Sequence, residues 1–115
     1  MGGGEGMKKV AYLITRNGTR ELIEGCLLNT VSKGTHGAKV LALHFAEDGV
    51  YHLIKGTTTG KKIEKAIKEQ GVKVLACECS VENRGIKDKL IDNVAMGHFS
   101  DFYAASEEAD HVIAI

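Results

Sequence analysis

The sequence predicts an α/β fold: a three-layer sandwich on a mainly parallel sheet of about four to five strands. Three observations carry that expectation. Apolar runs at 8–15 (KKVAYLIT), 38–45 (AKVLALHF), 72–77 (VKVLAC) and 111–115 (HVIAI) are almost unbroken, as in strands buried on both faces. The segments between them repeat apolar residues at helical spacing. Glycines such as Gly34, Gly37, Gly71 and Gly97 punctuate the joins.

The elements follow in order. After the first strand RNGT (16–19) breaks the run, and Asn17 or Thr19 can cap a helix. In that helix Leu22, Ile23, Cys26, Leu27, Thr30 and Val31 form one stripe, so Cys26 reads as a small buried hydrophobe. After the second strand come a turn at 47–49 and a short apolar segment, VYHLI (50–54), of undetermined type. GTTTG (56–60) reads as a loop capped by Thr59. It lacks the spacing of a phosphate loop. Ile63, Ala66 and Ile67 mark a second helix; Ile86, Leu90, Ile91 and Val94 mark a third; Phe99, Phe102, Tyr103 and Ser106 mark a short fourth. A flavodoxin-like strand order would set the first strand beside the third, so that 16–19 and 77–84 face each other at the carboxyl ends of the strands.

Composition narrows the function. The chain has 115 residues, the length of one domain, with 43% apolar residues for a core. Fifteen basic residues balance fifteen acidic ones, which removes the charge argument for nucleic acid. No apolar run approaches the roughly 20 residues of a membrane helix. The opening MGGGEG (1–6) reads as a leader or tag-like segment, leaving 7–115 as a single domain. With no secretory signal and an odd count of three cysteines, the expected compartment is the reducing cytoplasm.

The chemistry-bearing residues cluster after the third strand. Cys77 ends it, Glu78 follows, and Cys79 comes next. A helix beginning there, capped by Ser80 or Asn83, would bring positive dipole toward the sulfur, and Arg84 would add charge. Glu78 opposes both, because a neighbouring carboxylate disfavours a second anion. Adjacent thiols can bind a soft metal, form a strained disulfide or pass sulfur between them. One C-x-C pair and scattered histidines fall short of a zinc set, so no metal is expected. His44, near the end of the second strand, could reach the rim of the site.

The chain resembles the DsrE/DsrF-like family of small sulfur-relay proteins. The resemblance lies in VAYLITRNGT, EDGVYHLIKG, ADHVIAI and, most specifically, ACECSVENRGI: a strand-ending A-C, then a small polar residue, then an R-G that is expected to open a helix. It implies that Cys77 carries a persulfide and that Arg84 and Gly85 match the R-G after it. Cys79 falls outside the family pattern and is a second candidate. With Arg84 and Gly85 so matched, the expected site is also lined by Arg16, Asn17, His44 and Ser80, placed by their positions at the carboxyl ends of the strands and at the helix start. The implied partners are sulfur donor and acceptor proteins and further copies of the chain, as a trimer or hexamer; VYHLIKG (50–56), apolar but poorly placed for the core, is the expected contact surface. No cofactor is implied; any activity would be of sulfurtransferase type. Two alternatives stand beside it: a non-catalytic module binding an anion or nucleotide near Arg16 and Arg84, and a structural subunit of a hetero-oligomeric relay.

Overall fold

A computed structural model describes residues 7–115; the leader expected at 1–6 lies outside the described residues. The first strand, β1 (Lys9–Ile14), leads into a helical rod. The rod consists of α1 (Arg20–Leu22), a π turn (Ile23–Leu27) and α2 (Leu28–Lys33), and Gly34 ends it in the left-handed region at φ 71°. Strand β2 (Lys39–Phe45) is followed by a 3-10 segment (Glu47–Leu53) and by α3 (Thr58–Gln70). Strand β3 (Lys73–Cys77) runs directly into α4 (Glu78–Asn83). A 3-10 turn (Lys87–Lys89), β4 (Ala95–Gly97), α5 (Phe99–Glu108) and β5 (His111–Ala114) complete the chain.

The five strands form one parallel sheet in the order β4-β3-β2-β1-β5. The α/β sandwich and the parallel sheet are as expected. The flavodoxin-like order is not: β1 lies between β2 and β5, and β3 is one strand further away. The first three connections each join adjacent strands, so the sheet grows in one direction from β1 to β4. Only the link through α5 runs back, to add β5 beyond β1. The apolar runs leave this order open, because strands apolar on both faces have interchangeable edges.

The two faces are covered unequally. Val10, Tyr12, Ile14, Leu43, Phe45, Val74 and Ala76 point to one side and pack with Ile23, Leu27, Leu28, Val31, Ile63, Ala66 and Val81 from α1–α4. The alternate positions point to the other side, where α5 packs on β1, β2 and β4. There the ring of His44 meets Phe102 edge-on at 5.3 Å. One helix leaves that face incompletely covered. Every residue of β5 is exposed, and Phe99 and Tyr103 stack on α5, each residue 63% exposed.

Four expectations are corrected. VYHLI is mostly core: Val50, His52 and Leu53 are buried, Ile54 is half-buried and Tyr51 alone is exposed, so the segment is not a free contact surface. A Cβ on Gly49 would strike the Ile14 carbonyl, which is why this turn can lie so close to β1. Helix α3 is capped by Thr57, whose hydroxyl accepts from the Gly60 amide at 3.0 Å, while Thr59 is buried and donates to the Glu24 carboxylate. The apolar positions at 86–94 do not make a helix. Ile91 N donates to Leu53 O at 2.9 Å and Lys55 N to Lys89 O at 2.8 Å, so the segment spends its backbone groups on a neighbour. Ile86 and Ile91 are still buried, which preserves the apolar spacing that had suggested a helix.

Cys26 is exposed, the fourth correction. The buried face of the rod is Ile23, Leu27, Leu28 and Val31. The π turn takes an extra residue per turn and shifts the stripe, leaving Leu22 and Cys26 beside an apolar groove shared with Ile113 and Ile115 of the β5 edge.

Candidate functional site

Cys77 is the last residue of β3 and the N-cap of α4, at φ −64° and ψ 117°, and it is half-buried. It pairs with Gly97 on β4. Strand alternation places it on the same face as Leu75 and His44, under the start of α5. A Cβ on Gly97 would lie 3.2 Å from Leu75 Cδ2 and 3.6 Å from an Asp101 carboxylate oxygen. Glycine thus keeps the space beside the thiol's strand position narrow but open. Cys79 is exposed on the first turn of α4.

The next residues on the two strands also meet. Glu78 Oε1 lies 3.4 Å from His98 Nε2, and its Oε2 lies 3.8 Å from Lys87 Nζ. Lys87 also reaches Glu82 at 4.0 Å. His98 is the N-cap of α5: its amide donates to Asp101 Oδ2 at 2.9 Å, and its carbonyl accepts the Asp101 amide at 3.0 Å. His98 and Lys87 are absent from the site expected from sequence. His98 had a legible signal, a residue able to cap placed three before Asp101 at the start of an apolar-periodic stretch.

Arg84 turns elsewhere. Its guanidinium lies 2.9 Å from Asp48 Oδ1 and 3.5 Å from Glu47 Oε2, donates to Ser80 O at 3.2 Å, and sits over the Tyr51 ring at 5.9 Å. The Asp48 hydrogen bond holds its pKa above the usual arginine value. Ser80 is buried in α4 and its hydroxyl accepts the Glu47 amide at 2.9 Å. Helix α4 is therefore fastened to the segment after β2 by Ser80 and Arg84. Gly85 follows at φ 65°, so the R-G pair ends a helix instead of opening one.

Arg16 and Asn17 are exposed after β1. They do not face Cys77 across a β1/β3 junction, because β2 and its 3-10 segment intervene. Arg16 contributes its carbonyl, 2.7 Å from His52 Nε2. His44 and His52 are each only 1% exposed, and burial lowers both pKa values below the usual 6.5. His44 lies on the thiol's face of the sheet, but it is enclosed against Phe102. The expected dipole contribution is also reduced: α4 has six residues, fewer than two turns.

This arrangement can present a half-buried thiol at the carboxyl edge of a parallel sheet, with a charged pair at its side. A half-buried thiol on a strand end of a three-layer α/β domain defines the class. The model of the DsrE/DsrF-like family matches residues 8–115, and the chain belongs to that family. Among curated proteins none matches. Solved structures share the fold. The YchN protein from E. coli superposes with a TM-score of 0.72 at 20% identity, covering 95% of this chain and 99% of that one. A conserved protein of unknown function from Bacteroides thetaiotaomicron, BT1422, gives 0.71 at 17%, covering 94% and 95%. MTH1491 from Methanobacterium thermoautotrophicum, also of unknown function, gives 0.71 at 18%, covering 95% and 99%.

Proposed function

We propose that the protein is a cytoplasmic sulfur carrier that holds a persulfide on Cys77 and passes the outer sulfur to a partner thiol. The observation that carries this reading is the position of Cys77: half-buried at a strand's carboxyl end, in a chain of the DsrE/DsrF-like family. Ligand sites in open α/β sheets gather at that edge. The donor is a protein persulfide. The Cys77 thiolate attacks its outer sulfur, the donor's S–S bond breaks, and the donor leaves as a thiolate while Cys77 retains the sulfur. Transfer to the acceptor repeats the same exchange, with no net oxidation and no cofactor. Arg84 and Ser80 serve this site by holding α4 in place, and Gly85 lets the chain turn away behind it.

The anion-binding alternative loses support from Arg84, whose charge is matched by Asp48 and Glu47. Intact-mass measurement after treatment with a persulfide donor tests the carrier reading. Wild type gains one sulfur atom, Cys77→Ser gains none, and Cys79→Ser keeps the gain. Loss of the gain in Cys79→Ser alone would assign the sulfur to Cys79 and overturn the assignment to Cys77.

A further inference from the structure

We propose that His98 is a positioning residue for the strand-end thiol: it holds the Glu78 carboxylate, jointly with Lys87, so that this charge does not oppose a Cys77 thiolate. The purpose of the device rests on the carrier reading, but the acidity of the thiol can be measured without any sulfur transfer.

Glu78 follows Cys77 directly, and a carboxylate this close raises the free energy of a second anion. A reactive thiol needs that repulsion offset. Each carboxylate oxygen has a basic side chain within ion-pair distance: His98 Nε2 at 3.4 Å and Lys87 Nζ at 3.8 Å. His98 is itself held in place. The residue's amide donates to Asp101 Oδ2 at 2.9 Å and its carbonyl accepts the Asp101 amide at 3.0 Å, which anchors it at the start of α5 beside Glu78. Pairing of Cys77 with Gly97 is what brings the two residues side by side, each one step past the paired strand ends. The other charged or titratable groups here are Glu82 on α4, which shares Lys87, Asp101 on α5, and His44 on β2, whose pKa Asp101 raises in part. None of these contacts Glu78 in place of His98 among the described residues.

His98→Asn separates the clamp from the cap. Asparagine is among the best N-cap residues, so α5 keeps its start, but its side chain is too short to reach Glu78. The experiment follows iodoacetamide alkylation of Cys77 against pH by peptide mapping, in wild type, His98→Asn, Glu78→Gln and the double variant. In His98→Asn the midpoint moves upward by about half a pH unit and alkylation at neutral pH slows roughly threefold. Glu78→Gln is not slowed, and His98→Asn has no further effect in the Gln background. An unchanged midpoint in His98→Asn overturns the proposal. So does equal slowing with and without the Glu78 charge, which is the mark of a merely structural role. If wild type takes up no sulfur while the midpoint shift appears, the carrier reading fails and the positioning role stands; sulfur uptake without the shift is the reverse.

Discussion

The three cysteines differ by environment, and the difference predicts their reactivity. Cys26 and Cys79 are exposed and Cys77 is half-buried. Limited iodoacetamide treatment of the folded protein should label Cys26 readily, contrary to what its place in the helical stripe implied. Absence of labelling at Cys26 would contradict the position assigned to the rod's π turn. The buried histidines predict an acid-side loss of stability. Burial lowers the folded-state pKa of His44 and His52, so the unfolded chain binds protons first. Stability is then complete above the unfolded value near 6.5 and falls as pH drops below it toward the folded values. Urea midpoints measured from pH 8 to pH 5 should decline, and replacing His44 with an uncharged residue of similar size should flatten the slope. A pH-independent midpoint would count against burial of neutral rings.

Elements here are held by close approaches and caps that only particular residues allow. The 3-10 segment after β2 approaches β1 at Gly49, where any Cβ meets the Ile14 carbonyl. Gly49→Ala should therefore destabilise the fold by about 3 kcal/mol, the upper end of overpacking costs, with backbone instead of a flexible side chain in the way. Chemical denaturation reads this directly, and a loss below half a kcal/mol would mean that the turn can back away. The cap of α3 makes a smaller contribution. Thr57→Ala removes the acceptor for the Gly60 amide and should cost about 1 kcal/mol, while Thr57→Asp should restore most of it. Local chemistry was legible for this helix in its existence and its end at Gly71, but not in which threonine caps it. TTT offers three equivalent hydroxyls, and the choice falls to the burial of Thr59 against Glu24.

At the scale of the molecule, the unequal covering of the sheet bears on assembly. Leu22, Phe99, Tyr103, Val112 and Ile113 are exposed, and three of them lie on or beside the open β5 edge. An open, apolar edge strand is a template for pairing unless it is covered. Light scattering at micromolar concentration should give a mass above that of one chain, a trimer or hexamer on the family resemblance. Val112→Lys with Ile113→Lys should lower it, because charge on an edge strand blocks pairing. A monomer mass for the wild-type protein would refute the expectation.

The sequence by itself determined the class of fold, because unbroken apolar runs alternating with helical stripes have few arrangements that bury them all. It also placed the strand-end thiol, since the change from apolar to polar at Cys77 is local. It did not determine the strand order, because strands apolar on both faces accept any neighbour. Nor did it show that 86–94 would give up a helix for bonds to residues 53–55, since the same apolar spacing serves either structure. Only the tertiary structure decided which charges meet. Arg84, near Cys77 in sequence, is drawn to Asp48 and Glu47 by the packing of α4 on the segment after β2. His98, twenty-one residues from Cys77 by numbering, comes beside its neighbour Glu78 because β4 pairs with β3. Side-chain encounters between strands depend on register, and register is a property of the assembled sheet.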